Sequence, residues 1–392
     1  MTTADASIRS PLDAARRLAP SIRQAAEQIE ADRELPRPLF EVLADAGLFQ
    51  MLMPRSLGGQ ELDLPTYIKV MEELGKADAS TAWAINQGGV FATHSTVVAR
   101  EVARMVWVET PRCVVANIAT PTIVATPVDG GYRVNGQGGF STGSRHSAWL
   151  ATRGKVVVDG KIRMLPDGQE DVRFFLVPAA EAEIVDTWQV RGMRGTGTHD
   201  IRVTDLFVPE ERSFLVSAPV RDERGPLYLV PRVLMYAIGD AATALGCARA
   251  CMQSFADLAS GKTPWHGRAL LRDSPLAQIE IGHAEADLRS SRALLFETIR
   301  ELWESISASG SITLSQRIDL RLATTHGIRA GARVVDRVYN IAGATAIYRS
   351  HPMQRYFQDA HVMTQHFQAR LDHYQVVGQA CLGVTPDSTH GL

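Results

Sequence analysis

Three histidines, His361, His366 and His373, fall close together near the C-terminal end of a 392-residue chain. Imidazole changes charge near neutral pH and is the commonest metal ligand. Spacings of five and seven residues differ from the four that put two histidines on one metal-binding helix face. On one predicted helix His366 and His373 share a face two turns apart, about 10 Å along the axis, too far for a single ion. The reading is a structural or catalytic imidazole, with no metal. Cys247 and Cys251 lie one turn apart among small apolar residues. With no lysine or histidine beside them to favour a thiolate, they are expected in the core. Gly192-Met193-Arg194-Gly195-Thr196-Gly197 has the glycine density of a phosphate loop. Strand-like Ile201-Arg202-Val203 follows it where a helix N-terminus would be needed, so its glycines are expected in turns. Neither a Gly-x-Ser-x-Gly elbow nor a Walker loop occurs.

Positioning any of these groups requires a large core. The composition supplies one, with 45% hydrophobic and 21% charged residues. Forty-one basic residues balance 43 acidic ones for a net charge of −2, which argues against nucleic-acid binding. No run approaches a membrane span, and Met1-Thr2-Thr3-Ala4-Asp5 lacks the features of a signal peptide. Four scattered cysteines fit a reducing cytoplasm better than a disulfide framework.

Helical periodicity runs from residue 8 to about 108, with predicted helices from Leu12 to Ile29, Pro38 to Gly47, Leu64 to Gly75 and Ser80 to about Val108. From Cys113 to about Phe214 the texture is short β-branched runs with turns, including a hairpin at Asp129-Gly130-Gly131 and a similar turn at Asp159-Gly160. Helical period returns at Leu229 and persists to about Leu382, with long helices from Ile279 to Ser305 and Gln316 to Ala342. The plan is α+β in three segments: helices (1–110), short strands that suggest a compact β-barrel or sandwich (111–220), and helices again (221–384). Residues 385–392 are read as a loose tail.

Several motifs carry a resemblance. Leu35 to Phe49, Gly58-Gly59, Met71-Glu72-Glu73-Leu74, Ala77-Asp78-Ala79, Gly131 to Gly136, Phe140-Ser141-Thr142-Gly143, Gly192 to Thr196 and Arg355 to Ala360 occur in one order. In that order the chain resembles the acyl-CoA dehydrogenase superfamily over nearly its whole length. The resemblance implies an N-terminal helical domain, a central β-barrel, a C-terminal four-helix bundle, a bound flavin and a homotetramer. Dehydrogenation needs a carboxylate to take a substrate α-proton. The two positions where family members carry that glutamate correspond here to Phe367 and Tyr236, neither of which can act as the base.

His366, seven residues after Asp359, instead resembles the histidine of the reduced-flavin, two-component monooxygenase branch. That branch includes the oxygenase component of 4-hydroxyphenylacetate hydroxylase and dibenzothiophene monooxygenase. There such a histidine supports the flavin C(4a)-hydroperoxide, and Thr142 falls on the hydroxyl near flavin N(5). By the same resemblance Asn117, Phe140, Ser141, Lys262, Trp265 and Gln278 contact the cofactor, Lys262 standing in for a phosphate-binding arginine. Trp83, Phe91, His94, Tyr236 and Phe367 border the substrate. Phe91 stands where phenol hydroxylases carry a histidine, which favours an apolar aromatic or heteroaromatic substrate; His94, one turn later, is its possible substitute.

The expectation is an oxygenase component that uses reduced FMN or FAD from a separate NAD(P)H-dependent reductase, with O2, to oxygenate a small organic molecule. A dehydrogenase or oxidase with a displaced base and a flavin-free binding protein are the alternatives.

Overall fold

The computed structural model describes residues 10–386 and 391–392. The reading of Met1–Asp5, and 387–390 of the expected tail, fall outside those residues. Side-chain caps set the N-terminal helices. Ser10 Oγ accepts the Asp13 amide at 3.2 Å and Pro11 opens α1 (Pro11–Gln24). After α2 (Ala26–Asp32) and α3 (Arg37–Asp45), Gly47 at φ 72° turns the chain. Asp63 and Asp78 accept the amides of Thr66 and Thr81 at 2.8 and 2.7 Å, starting α4 (Leu64–Ala77) and α5 (Ala79–Phe91).

The helix expected to reach Val108 stops at Phe91. The Thr93 and Thr96 hydroxyls donate to the Val90 and Thr93 carbonyls at 2.7 and 2.8 Å, competing with the helical ladder. A 3₁₀ turn (Ala92–Thr96), a short α6 (Arg100–Ala103) and a π turn (Arg104–Val108) follow.

Among the described residues nine strands come next: β1 (Val115–Asn117), β2 (Ile123–Val128), β3 (Gly131–Ser141), β4 (Trp149–Val158), β5 (Lys161–Ile162), β6 (Val172–Pro178), β7 (Glu183–Val185), β8 (His199–Pro209) and β9 (Ser213–Leu215). The hydrogen-bonded path runs β7-β8-β3-β2-β4-β6-β9, with β1 and β5 also on β4. On one face it buries Ala125, Val134, Leu150, Phe175, Ile201 and Val203 in one cluster. Alternation does the sorting. Trp149 and Phe174, next to Leu150 and Phe175, face the opposite way and join Phe91, Val102 and Trp107 in a second cluster.

The C-terminal segment comprises α7 (Arg232–Gly261), α8 (Pro275–Ser309), α9 (Leu314–Ala342), α10 (Pro352–Met363) and α11 (Asp372–Cys381). One core is shared by the N-terminal helices and this bundle, from Leu18 and Leu74 to Leu245 and Val335. Gly75 makes the α4–α7 crossing possible: a Cβ there would come 2.6 Å from the Thr243 carbonyl oxygen. Cys247 and Cys251 are buried in this core, as expected. Among the described residues no helix is long and apolar enough to cross a membrane.

Two expectations need correction. Gly391 and Leu392 are buried, not loose. The fully buried Arg321 guanidinium requires acceptors, and its Nε takes the Gly391 carbonyl at 2.9 Å. The three histidines also do not share a helix. The α10 helix ends when Thr364 caps it, its hydroxyl donating to the His361 carbonyl at 2.7 Å. His361 therefore lies on α10, His366 caps a 3₁₀ turn (Phe367–Ala369), and His373 lies on α11.

Candidate active site

A cavity of about 360 Å³ opens where the cavity face of α5, the end of β3, the segment 188–198 and the end of α10 converge. Its walls are mostly apolar. Trp83 and Gln87 come from one face of α5; Asn117 and Ala119 from β1 and beyond; Phe140 and Thr142 from β3 and its end. Trp188, Met193, Thr196 and Thr198 enter from the segment before β8, and Val362, Met363, Gln365, His366 and Phe367 from the other side.

The two walls are keyed together at the Gly192–Gly197 loop. The Met193 amide donates to the buried Asp359 carboxylate at 2.5 Å, and Gly192 presses against the Gln358 backbone. A 3₁₀ turn (Arg194–Thr196) and then β8 follow, so the loop is a docking turn and not a phosphate loop.

Thr142 ends a chain of hydroxyls. Thr196 donates to the Met193 carbonyl at 2.8 Å, lies 2.7 Å from the Thr198 hydroxyl, and Thr198 lies 3.0 Å from Thr142. Each hydroxyl has one proton, so all three bonds form together only when Thr142 donates to Thr198 and Thr198 to Thr196. Thr142 then shows the cavity a lone pair. Phe140, at φ 62° and 65% exposed, sits at the mouth, with its ring 6.5 Å from that of Trp188. The Asn117 amide makes no side-chain hydrogen bond among the described residues.

His366 forms the deep wall. Its ring packs edge-on to Trp83 at 4.9 Å, and Nδ1 accepts the Gln368 amide at 3.5 Å. Nδ1 also faces Asp240 Oδ2 at 3.5 Å, while the side chain keeps 38% exposure. Burial, then the charge of Arg321, pushes its pKa down to about 4, so the imidazole is neutral at physiological pH. Among the described residues no carboxylate lines the cavity, and no group of three His, Cys, Asp or Glu could hold a metal.

Several expected residues lie elsewhere. Ser141, one residue out of phase with Phe140 and Thr142, is fully buried away from the cavity. Phe91 and His94 stack at 4.3 Å within an aromatic cluster containing Phe174 and Phe214. Burial drives the His94 pKa well below its ordinary value, and its side chain does not line the cavity, so it does not substitute for a cavity histidine. Tyr236 lies behind the wall, where its carbonyl accepts Asn86 Nδ2 at 2.9 Å. Lys262 donates to the Ala342 carbonyl at 2.6 Å, at the C-terminus of α9. Trp265 is 89% exposed and Gln278 donates to the Arg272 carbonyl at 3.1 Å. Within one chain, none of these three reaches the cavity. Sequence reasoning missed Gln87, Thr198 and Asp240. Asp240 carried a signal: it is the lone charge in the otherwise apolar run Leu234–Leu245.

Comparisons with known proteins agree with this geometry. The N-terminal domain of acyl-CoA dehydrogenase matches residues 9–105, and its C-terminal domain matches residues 238–371. Indole-3-acetate monooxygenase of Pseudomonas putida is 30% identical over 360 residues, 92% of this chain and 90% of its own length. HsaA of Mycobacterium tuberculosis, the oxygenase subunit of a flavin-dependent monooxygenase, is 29% identical over 392 residues, 97% of both chains. The crystal structure of the HsaA monooxygenase superposes with a TM-score of 0.87 at 28% identity, covering 97% of this chain and 99% of that one. The chain therefore belongs to the acyl-CoA dehydrogenase superfamily, in its branch of flavin-dependent monooxygenase oxygenase components.

Proposed function

We propose that this chain receives reduced flavin, FMN or FAD, from a separate NAD(P)H-dependent reductase and oxygenates a small aromatic or heteroaromatic substrate in the cavity. The observation that carries the reading is a neutral His366 and the Thr142 hydroxyl in one mostly apolar cavity with no carboxylate on its wall. That arrangement offers no carboxylate base for α-proton abstraction, so it does not favour the dehydrogenase alternative.

The residues fit a flavin ring. The volume lies within the usual range of small-molecule sites, about 300–1,000 Å³. Trp83, Phe140 and Trp188 present apolar surface, Asn117 offers an uncommitted amide, and Thr142 offers an acceptor. Bound reduced flavin supplies the two electrons that activate O2 for transfer of one oxygen atom. His366 holds a proton at Nε2 toward the cavity, where negative charge on oxygen would be stabilised. The aromatic walls, with Phe367, exclude water and select planar substrates.

Lys262, Trp265 and Gln278 keep their cofactor role only if a neighbouring copy presents them. Trp265, Leu276, Ile279, Ile347 and Tyr348 are large exposed apolar side chains, consistent with subunit burial in a homotetramer. Three buried free cysteines suit a reducing cytoplasm.

The test supplies reductase, NAD(P)H, FMN or FAD and isotopically labelled O2 to a panel of aromatic compounds, with label incorporation read by mass spectrometry. One labelled atom per product supports the reading. Anaerobic bleaching of bound flavin by acyl-CoA thioesters, without added reductase, would overturn it.

A further inference from the structure

Behind His366 lies a buried acid for which the cavity itself gives no purpose. Asp240 is fully buried on α7. Its Oδ1 accepts Asn86 Nδ2 at 2.8 Å and Gln87 Nε2 at 3.3 Å. The Asn86 amide cannot turn round, because its Nδ2 also donates to the Tyr236 carbonyl at 2.9 Å, a group that can only accept, while its Oδ1 takes the Tyr67 hydroxyl at 2.6 Å. Oδ1 is thus the carbonyl-like oxygen of the pair. Among the described residues Oδ2 has no hydrogen-bond partner and no solvent access, and it lies 3.5 Å from His366 Nδ1. That nitrogen's one in-plane lone pair also lies 3.5 Å from the Gln368 amide, a distance that leaves room for a stronger donor. A bare carboxylate oxygen facing a bare ring nitrogen would place two lone pairs against each other in a dry interior. One proton between them removes the conflict.

We propose that Asp240 is a positioning residue that stores a proton for His366: its Oδ2–H is directed at Nδ1 and holds the ring with Nε2–H facing the cavity. This deepens the oxygenase reading and gives the histidine a way to act as an acid while neutral. When an oxygen atom opposite Nε2 takes that proton, the Nε2–H bond breaks and the Oδ2 proton passes to Nδ1. No electrons change hands. The resulting Asp240 carboxylate keeps its two amide donors and the nearby positive charge of Arg321. Reprotonation of Nε2 from solvent and return of the Nδ1 proton to Oδ2 close the cycle.

The other titratable and charged groups facing the pair are Arg321 from α9, Tyr67 from α4 and Tyr236 one turn earlier on α7; no second carboxylate is among them. Burial raises the Asp240 carboxyl well above its ordinary value, and burial and Arg321 lower His366, so the proton rests on the acid. Arg321 itself is committed to the Gly391 carbonyl and to Gln368 Oε1, the latter at 2.6 Å.

The test uses the full-length protein without flavin, ¹⁵N-labelled at histidine, with His366→Gln assigning the resonance. Two-bond ¹H–¹⁵N spectra report which ring nitrogen carries the proton. The wild type is expected to keep an unprotonated, hydrogen-bonded Nδ1 and a protonated Nε2 from pH 8 down to pH 5. Asp240→Asn, nearly isosteric and still able to donate to Nδ1, is expected to keep that tautomer. It should lose at least fivefold in product per reduced flavin, with flavin affinity unchanged. Asp240→Leu is expected to mix the tautomers. A protonated Nδ1 in the wild type, titration at the ordinary histidine value, or an unaltered yield in Asp240→Asn would each overturn the proposal. If the spectra are as expected but no aromatic compound is oxygenated by the wild type, the oxygenase reading fails while the Asp240–His366 pairing stands.

Discussion

Replacing Thr198 with valine removes one oxygen from the middle of the hydroxyl chain with almost no change in shape. Two hydrogen bonds go with it, the 2.7 Å contact to Thr196 and the 3.0 Å contact to Thr142. At about 0.5–1.5 kcal/mol each, the fold should lose about 1–3 kcal/mol, visible in urea unfolding. The binding consequence is more specific. In the wild type the Thr142 proton is directed at Thr198, so only a lone pair faces the cavity. Reduced flavin carries a proton at N(5) and oxidised flavin a bare lone pair. If Thr142 lies opposite N(5), the resting chain favours the reduced form. Oxidised flavin must reverse the chain, which breaks the 2.8 Å Thr196 bond to the Met193 carbonyl.

Valine at 198 frees the Thr142 proton, and reversal no longer breaks that bond. The preference for reduced over oxidised flavin should therefore fall by one neutral hydrogen bond, about two- to twelvefold in the ratio of dissociation constants. Anaerobic titration with each redox form measures both constants. An unchanged ratio, or a stronger preference for reduced flavin, would refute the directional reading of the chain.

Other perturbations test the framework. His146 is held down to about 4, by burial first and then by Arg37, so it is neutral in the folded protein. The unfolded chain binds that proton below about pH 6.5, so this contribution to stability is full above that value and is lost as pH falls toward 4. His146→Gln should flatten the stability–pH slope in this window by up to one proton, about 1.4 kcal/mol per pH unit; an unchanged slope in denaturant melts would contradict the assignment. Gly75→Ala should lower stability by about 1–3 kcal/mol through overpacking at the Thr243 backbone. An alanine variant as stable as the wild type would mean that the helices part freely. Light scattering should give a mass near four times 42.8 kDa, reduced by Trp265→Asp. A monomeric wild type would remove the tetramer, and with it the cofactor role of Lys262, Trp265 and Gln278.

The large elements were legible because each has a local cause. The Asp129-Gly130 hairpin, the long α8 and α9 helices and the sheet's alternation follow from turn chemistry and apolar period. The helix end at Phe91 and the break after Met363 were not legible. In both places threonine hydroxyls capture carbonyls of the preceding turn, and hydrophobic period does not register that competition. Within the site, His366 and Thr142 were found through their register against recognisable motifs, and both line the cavity. Phe91 lies on the cavity face of α5 but one turn too far, where it meets the sheet. Asp240 was missed because a lone acid in an apolar helix gains meaning only when a distant turn places a ring nitrogen against it.

The Met193–Asp359 bond has a thermodynamic consequence. It joins a loop of the sheet to a helix of the bundle, and the cavity exists only while that seam is shut. A molecule filling the cavity binds the shut form alone, so its binding energy is also seam energy. At a ligand concentration one hundred times its dissociation constant, about 2.7 kcal/mol of extra resistance to opening should appear. The amides of residues 192–196 and of α10 should then exchange with solvent more slowly, while the far end of the bundle is unaffected. Cofactor supply would thus set how long this protein stays assembled as well as how fast it works.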